Sequence, residues 1–311
     1  MNESNNVNMN KSKSIKNDEF YTLIEDIEKE ISYYKDQLIG KIVYCNCDDF
    51  RKSNFIKYFL NNFKSLGLNK LICTSYNENG NGLYFSYDGI TPYNGKLKGN
   101  GDFRSHECLK LLEQCDIVIT NPPFSLFKEY INILISYNKK FCVLGNINAV
   151  TYKEVFPLLK NGKIWYGKSL FNNKCSFIIP TSNGENKTAN ITLKNVIWFT
   201  NMDNGENENS LSLNKQYNDN EYHKYDNYHA INVDKLTDIP FDYNGVIGVP
   251  ITILKYLNKN GIINIKINNG TILKYKVLNL DRYIEDNPNY GKRFKINNKE
   301  KYARVLIQKV E

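Results

Sequence analysis

The sequence lacks the features that mark membrane and secreted proteins. No uninterrupted apolar run approaches the roughly 18 residues needed to cross a bilayer. The first 19 residues, MNESNNVNMNKSKSIKNDE, contain no apolar core of a signal peptide. Because 41% of residues are hydrophobic, with 23 Tyr and 16 Phe, the chain can still bury a sizeable core. We therefore expect a folded, soluble, cytoplasmic protein without a membrane span.

Metal-binding and phosphate-binding patterns are also missing. The seven cysteines are odd in number and include no CxxC pair, so we expect reduced core thiols and no metal site. Neither GxGxxG nor GxxxxGK[ST] follows the first strand-like run of the central region, which leaves no cradle for a pyrophosphate or a triphosphate. A nucleotide-like cofactor without phosphate remains compatible with the chain.

Strand-like and helix-like segments alternate from the N-terminus onwards. After a helical pattern from Phe20 to Tyr34 closed by Gly40, the strand-like runs are KIVYCNC, KLICTSY, DIVIT and KKFCVLGN. The predicted helices are SNFIKYFLNNFKSLG (capped by Ser53, ended by Gly67), SHECLKLLEQC, SLFKEYINILI and TYKEVFPLLKNG (opened by a Thr151–Glu154 capping box). This alternation predicts an α/β fold: a parallel sheet covered on both faces, with right-handed crossovers.

The remaining segments predict a different organisation. Residues 1–17 are rich in Asn, Ser and Lys and predict a disordered arm. KIWYG, KCSFIIP and NVIWFTN predict short strands that add antiparallel edge pairing to the sheet. From about Asp203 the polar composition predicts a linker or a loose loop. Asn-Gly pairs within FDYNGVIGVPIT and INIKINNGTILKYKVLNL indicate hairpins.

Positive charge is concentrated near the C-terminus. The formal charge is +8, and residues 261–311 hold 11 Lys or Arg against 5 Asp or Glu. Such a region is compatible with a solvated face, but it is also what a surface that tracks phosphates requires. On this feature we favour nucleic acid as the partner, with Lys292, Arg293 and Lys295 as the candidate phosphate contacts.

Four unusual segments follow predicted strands or precede the third helix. They are Cys47-Asp48-Asp49, Ser75-Tyr76, Gly101-Asp102-Phe103 and Asn121-Pro122-Pro123-Phe124. In a doubly wound sheet, ligands bind beyond the carboxyl ends of the strands, so we expect these segments to lie at one edge. Carboxylates, amide oxygens and an aromatic ring suit a cofactor with ammonium, ribose and adenine groups. Read singly, the aspartates and Phe103 could instead be helix-terminal, turn and core residues.

The turn Asn121-Pro122-Pro123-Phe124 is the most informative segment, since only 8 prolines occur in the chain. Two adjacent prolines stiffen the backbone and remove two N–H donors, so the backbone groups that the turn offers for hydrogen bonding are mainly carbonyl acceptors. The Asn121 oxygen and the Pro122 carbonyl could hold the hydrogens of an amine whose ring stacks on Phe124. That arrangement predicts amine methylation. The alternative is structural: Asn121 and Pro122 could simply begin a helix.

These segments together resemble the EcoRI-type adenine-specific DNA methyltransferases. The similarity runs from KNDEFYT near residue 16 to KYARVLI near the end, and TNPPFSLFKEY with GDFRS upstream is its most specific part. It implies a Rossmann-like fold dependent on S-adenosylmethionine. It further implies a catalytic domain with an N-terminal cofactor-binding helix over 18–205 and a smaller target-recognition region over 206–311. CNCDD and Ser75-Tyr76 depart from the usual glycine-rich and ribose-binding acidic motifs.

The resemblance assigns roles to individual residues. Asn121 through Phe124 would hold the flipped target adenine. The residues implied to bind the cofactor are Phe20, Tyr21, Thr22, Cys47, Asp48, Asp49, Tyr76, Asp102, Phe103 and Asn121.

The resemblance also implies an activity and its partners. We expect a site-specific monomeric enzyme that methylates the 6-amino group of adenine in double-stranded DNA, within a restriction–modification system whose endonuclease acts separately. Two alternatives stay open at the level of sequence. The same fold could methylate a cytosine amine, RNA or a protein glutamine, or it could be an inactive DNA-binding relative.

Overall fold

The structure is a computed structural model that describes residues 21–169, 174–180, 188–205, 211–267, 269–281 and 293–310. The chain folds as two compact units, Met1–Phe127 with Asn172–Val196 and Lys128–Phe171 with Ile197–Glu311. The predicted disordered arm, 1–17, lies outside the described residues. The functional boundary near residue 205 stays a prediction.

Strands outnumber helices in the described ranges. The strands are β1 (Tyr21–Thr22), β2 (Ile42–Cys45), β3 (Lys70–Ser75), β4 (Leu83–Tyr87), β5 (Pro92–Lys96), β6 (Ile117–Thr120), β7 (Lys140–Asn146), β8 (Trp165–Tyr166), β9 (Lys174–Pro180), β10 (Thr188–Lys194), β11 (Val196–Thr200), β12 (Ser212–Leu213), β13 (Lys224–Tyr225), β14 (Tyr228–Asn232), β15 (Ile247–Pro250), β16 (Ile262–Ile267), β17 (Ile272–Leu280), β18 (Lys295–Ile296), β19 (Lys299–Glu300) and β20 (Arg304–Val310). The α-helices are α1 (Ile24–Ile31), α2 (Lys35–Leu38), α3 (Asn54–Asn61), α4 (His106–Gln114), α5 (Phe127–Ser136) and α6 (Phe156–Lys160).

The first unit contains a mixed sheet with the strand order β5-β4-β3-β2-β6. β2 pairs in parallel with both β3 and β6, as the strand–helix alternation predicts. Its residues Val43, Tyr44 and Cys45 are fully buried, which is why a continuous apolar run marks it in the sequence. Beyond β3, the strands β4 and β5 add an antiparallel hairpin that the sequence patterns did not predict.

Two predicted helices differ from the observed ones. α3 begins as predicted, because the Ser53 hydroxyl accepts a hydrogen bond from the Phe55 backbone N–H at 3.1 Å. It ends at Asn61, several residues earlier than predicted, and irregular turns continue to Gly67, whose φ is +61°. The prediction that a Thr151–Glu154 capping box opens the last of these helices is wrong. The Thr151 hydroxyl donates to the Asn148 carbonyl at 2.8 Å, inside a short 3-10 helix, and α6 starts only at Phe156.

The three short strands predicted as antiparallel edge strands separate into two groups. β8 pairs antiparallel with β11, which confirms that part of the prediction. β9 instead forms a three-stranded antiparallel sheet with β1 and β10, so its assignment to the main sheet is wrong. The sequence marks strands by their apolar content, but it does not mark which neighbour they pair with.

The second unit contains a seven-stranded sheet with the order β12-β16-β17-β20-β15-β14-β13. The strands β7, β11 and β8 are adjacent to one another in that order and do not belong to this sheet. The hairpin at Asn269-Gly270 is confirmed, since β16 and β17 pair antiparallel around it. The prediction of a hairpin at Asn244-Gly245 is wrong, because β15, which follows that pair, is parallel to β14 and antiparallel to the distant strand β20. Beyond residue 210 the segment predicted as a linker or loose loop is mostly irregular, as a loop would be. It is not a simple linker, because the short strands β12 and β13 form in it and bury Leu213 and Tyr225.

The cysteines are reduced where their side chains are described. Cys45, Cys73, Cys108, Cys115 and Cys142 are free and buried, and Cys47 is free and partly buried. The five buried cysteines confirm the predicted core positions, whereas Cys47 is not a core residue and the side chain of Cys175 is not described. In the described part of the chain, no helix is long and apolar enough to cross a membrane.

Candidate active site

The loop after β2 is built around the buried side chain of Asp48. Its backbone N–H donates to the Thr74 carbonyl at 3.1 Å, and its own carbonyl accepts from the Cys73 thiol at 2.8 Å, so the loop is tied to β3. Its carboxylate accepts from the Ser53 hydroxyl at 2.6 Å and from the Thr120 hydroxyl. Burial raises the pKa of Asp48 to about 6, although both hydroxyl bonds act against that shift.

Two loops of this unit have the same Asp-Phe-Arg sequence and the same local geometry. Asp49 accepts from the Arg51 side chain at 2.9 and 2.6 Å and from its backbone N–H at 3.0 Å. Asp102 accepts from the Arg104 side chain at 2.9 and 2.7 Å and from its backbone N–H at 2.8 Å. Each loop leads into a helix capped by a serine, Ser53 for α3 and Ser105 for α4.

The arginines control the ionisation of both aspartates. Burial alone would raise the pKa of Asp49, but the hydrogen bonds and charge of Arg51 outweigh it and hold that pKa below its usual value. The Arg104 guanidinium lowers the pKa of Asp102 in the same way. Both carboxylates are therefore charged at neutral pH, and each has a cation beside it.

Gly101 brings the second Asp-Phe-Arg loop against the end of β3. Its φ is +81°, and a side-chain carbon added there would lie 2.1 Å from the Ser75 carbonyl oxygen. Only glycine fits such a contact. Burial, followed by the charge of Asp48, raises the pKa of Cys47, and Asp102 of the second loop acts in the same direction.

The Asn-Pro-Pro-Phe turn begins directly after the buried strand β6. Pro122 is buried, whereas Asn121, Pro123 and Phe124 are partly exposed. A 3-10 helix starts at Phe124, and the Pro123 carbonyl accepts from the Leu126 backbone N–H at 3.0 Å. The helix therefore begins three residues after Asn121, and the alternative in which Asn121 and Pro122 start it is not observed.

The N-terminal segment contributes a buried hydroxyl. Phe20 lies outside the described residues, and for Tyr21 only the backbone, in β1, is described. The Thr22 carbonyl accepts from the Asn54 side chain at 2.8 Å, which places Thr22 at the start of α3. Its hydroxyl is buried and has no partner among the described residues. A buried orphan hydroxyl is what a bound polar ligand would satisfy.

The structure brings most of the predicted site residues into one unit. Asp48 joins the loop after β2 to Thr120, the residue before Asn121, while Gly101 holds the Asp102–Phe103 segment against Ser75 at the end of β3. Tyr76 lies at the end of β3 and is 56% exposed. Sequence reasoning missed the bonds to Ser53 and Thr120, and it also missed the repeated Asp-Phe-Arg motif, which was visible in the sequence.

The predicted DNA-binding cluster belongs to the second unit. Lys292 lies outside the described residues. The Arg293 guanidinium lies 5.5 Å from the centre of the Tyr302 ring, and the Tyr302 hydroxyl donates to the Asn148 side chain at 2.7 Å. Lys295 begins β18 and is partly exposed. Across the described ranges, no group of three His, Cys, Asp or Glu residues could hold a metal ion.

A mixed sheet with parallel central strands and an Asn-Pro-Pro-Phe turn at the end of one of them define a Rossmann-like methyltransferase. The family model described as Adenine-specific methyltransferase EcoRI matches residues 8–94 and 86–310. The chain therefore belongs to the EcoRI family of adenine-specific methyltransferases, and it is a DNA methyltransferase.

Curated relatives match over most of their length. The chain is 46% identical over 297 residues to the type II methyltransferase M.EcoRI of Escherichia coli, covering 84% of this chain and 89% of the relative. It is 38% identical to the type II methyltransferase M.MgeORF184P of Mycoplasma genitalium, a match that covers 96% of this chain and 98% of the relative. It is 36% identical to the type II methyltransferase M.MpnI of Mycoplasma pneumoniae, a match that covers 96% of this chain and 97% of the relative.

Proposed function

We propose that the protein transfers a methyl group from S-adenosylmethionine to the 6-amino group of an adenine that is flipped out of duplex DNA at a specific sequence. The observation that carries the proposal is the turn Asn121–Phe124, which leaves a buried strand with an amide and a partly exposed ring. Family membership favours adenine over a cytosine amine, RNA or protein, and an active enzyme over an inactive relative. We further propose that it acts as a monomer, with a separate cognate endonuclease.

The residues near the turn fit S-adenosylmethionine better than a phosphorylated cofactor. The loop after β2 supplies carboxylates and no glycine-rich cradle, which suits a ligand with a sulfonium, an ammonium and ribose hydroxyls. In this proposal, Phe20, Tyr21 and Thr22 contact the cofactor from the N-terminal side, and the orphan hydroxyl of Thr22 supports that placement. The Cys47–Asp49 loop lies near its methionine part.

The other end of the cofactor is assigned to the second Asp-Phe-Arg loop. Asp102 and Phe103 would lie near the adenine, with Tyr76 beside them at the end of β3. The close approach of Gly101 to Ser75 supports this placement, because it holds the loop against the strand end. When bound, the cofactor supplies an electrophilic methyl group on a positively charged sulfur.

The turn would orient the nucleophile. The Asn121 side-chain oxygen and the Pro122 carbonyl accept the two hydrogens of the adenine amine, so its nitrogen lone pair points away from them, towards the methyl. Asn121 is neutral, so it polarises the amine without taking a proton. After transfer, the proton leaves to solvent. The Pro123 carbonyl already accepts a hydrogen bond from the Leu126 backbone N–H.

Phe124 would hold the flipped base. Extruding an adenine from the duplex costs a few kcal/mol. Stacking on an aromatic ring returns about 1–3 kcal/mol, so Phe124 offsets part of that cost. Its partial exposure supports the role, because a ring packed within the core would offer no face.

The proposed function can be tested directly by product analysis. The purified protein is incubated with duplex DNA and methyl-labelled S-adenosylmethionine, and the digested nucleosides are separated by mass spectrometry. We expect N6-methyladenine in duplex DNA, confined to one sequence context. Methylcytosine as the sole product would contradict the proposal, and so would label in RNA or protein but not in DNA.

The basic C-terminal cluster gives a prediction about DNA affinity. Replacing Lys292, Arg293 and Lys295 by Gln should weaken binding to all DNA sequences, because phosphate contacts release counterions. The log–log salt dependence should become less steep by about 0.9 for each phosphate that is no longer neutralised. DNA binding is measured across a salt series for the wild type and the triple variant.

A matched control separates local contact from overall charge. Replacing Lys29, Lys35 and Lys64, all exposed in the first unit, by Gln removes the same net charge. We expect a much smaller change in slope for this control. Equal slopes for the two triple variants would show that the C-terminal cluster does not contact phosphates.

A further inference from the structure

Asp48 links two segments that are distant in sequence. One carboxylate oxygen accepts from Ser53, the cap of α3, and the other accepts from Thr120, the last residue of β6. Asp48 and Thr120 are separated by 72 positions and both are buried. Its backbone is fixed on either side by Thr74 and Cys73 of β3. Asp48 is therefore held by three separate elements: its carboxylate by the start of α3 and by β6, and its backbone by β3.

We propose that Asp48 is a positioning residue for methyl transfer, which acts through the Thr120 hydroxyl to fix the direction in which the Asn121–Phe124 turn leaves β6. The proposal rests on the proposed function of that turn. Both carboxylate oxygens already accept hydrogen bonds from protein hydroxyls, so the side chain is engaged in holding the site.

The physical reason is the precision that the reaction requires. Misplacing a reacting group by about 1 Å can cost roughly 100-fold in rate. Asn121 directly follows Thr120, so a rotation of the Thr120 peptide moves the amide that orients the amine. A buried hydrogen bond from the Thr120 hydroxyl to a charged acceptor restrains that rotation more strongly than a bond to a neutral one.

The ionisation of Asp48 makes the proposal sensitive to pH. Its buried carboxylate, with a pKa of about 6, is surrounded by Asp49 on its own loop, Cys45 and Cys47 at the end of β2, and Cys73 on β3. Once protonated, one oxygen must donate rather than accept, so one of the two hydroxyl bonds is lost or reversed. The rate of methyl transfer should therefore rise as pH increases through about 6.

Stability responds to the same group with the opposite sign. The pKa of Asp48 is raised from the unfolded value of 3.8, so the protonated form favours folding below that value and the advantage is lost as pH rises through about 6. Relative to the Asp48→Asn variant, the wild type should lose stability over the pH range in which its rate of methyl transfer rises. General acid unfolding would instead lower both together as pH falls.

Substitutions at Thr120 give the decisive test. Thr120→Val keeps the shape and removes the hydroxyl, whereas Thr120→Ser keeps the hydroxyl. In single-turnover reactions with adenine-containing duplex DNA, we expect Thr120→Val to be at least about tenfold slower than wild type, with cofactor affinity within about twofold. Thr120→Ser should retain the rate to within about threefold, because it retains the bond.

Thr200→Val is the matched control. Thr200 also ends a buried strand and is also followed by an asparagine, but its hydroxyl donates to the Phe141 carbonyl at 2.7 Å in the second unit. This variant should melt at a lower temperature and keep the wild-type rate. It therefore separates general loss of a buried hydrogen bond from loss of positioning.

The outcomes are distinguishable. The proposal is overturned if Thr120→Val transfers methyl at the wild-type rate, or if Thr120→Ser is as slow as Thr120→Val. Equal losses of rate and cofactor affinity in Thr120→Val would also overturn it and place the bond in cofactor binding. A wild-type enzyme that forms no N6-methyladenine would instead overturn the proposed function itself.

Discussion

Asn121→Ala should lower the turnover number by about 100- to 1,000-fold, the range seen when one hydrogen-bonding group that acts in a transition state is removed. The Asn121 oxygen is proposed to hold the adenine amine as positive charge develops on its nitrogen, so its effect falls on the transition state. Cofactor affinity should change little. Steady-state kinetics with duplex DNA, together with calorimetric titration of S-adenosylmethionine, measure both quantities.

Asn201→Ala is the matched control for that experiment. Asn201 also directly follows a buried strand, but its side chain accepts from the Phe141 N–H and donates to the Lys139 carbonyl, both at 2.8 Å. This variant should lose stability without losing turnover. If Asn121→Ala lost cofactor affinity and turnover in equal measure, Asn121 would be a structural residue of the turn.

Phe124→Ala should lower kcat/KM by roughly 5- to 150-fold, which corresponds to the loss of about 1–3 kcal/mol of stacking on the flipped base. Phe124→Tyr and Phe124→Trp should retain most of the activity, because both keep an aromatic face. Fluorescence of 2-aminopurine at the target position, which rises when the base leaves the stack, should report weaker capture in Phe124→Ala.

Phe127 distinguishes stacking from packing. It lies one turn further along and is 1% exposed, so Phe127→Ala should cost about 3–5 kcal/mol of stability. Phe124→Ala should cost much less, since its ring is partly exposed. Equal loss of activity in all three Phe124 variants, with a fall in melting temperature like that of Phe127→Ala, would identify Phe124 as a core residue.

The central strands could be predicted from the sequence because burial on both sides leaves continuous apolar runs. β2, β3 and β6 are of this kind, and their parallel pairing followed from the helices between them. β4 and β5 were missed because their burial is uneven and β5 is mostly exposed. The partners of β9 and β15 were missed because pairing depends on distant segments, which local patterns do not encode.

The sequence predicted which strand ends carry the residues of the candidate site. It did not predict the contacts between those residues. A position after a buried strand follows from the pattern, so the gathering of Asp48, Asp102 and Asn121 in one unit could be expected. The bond between Asp48 and Thr120 could not, because 72 residues separate them and threonine is common at strand ends. Similarly, only the folded chain shows that Gly101 is required by its contact with Ser75.

The two Asp-Phe-Arg loops also affect how the first unit would bind two ligands of opposite charge. S-adenosylmethionine is a cation and DNA is a polyanion, so a strongly charged surface would attract one and repel the other. Asp49 with Arg51 and Asp102 with Arg104 form compact, nearly neutral ion pairs, each a local dipole with no net field at long range. In the proposed function, long-range attraction of DNA would come from the basic C-terminal segment, so the two ligands would bind without competing through charge.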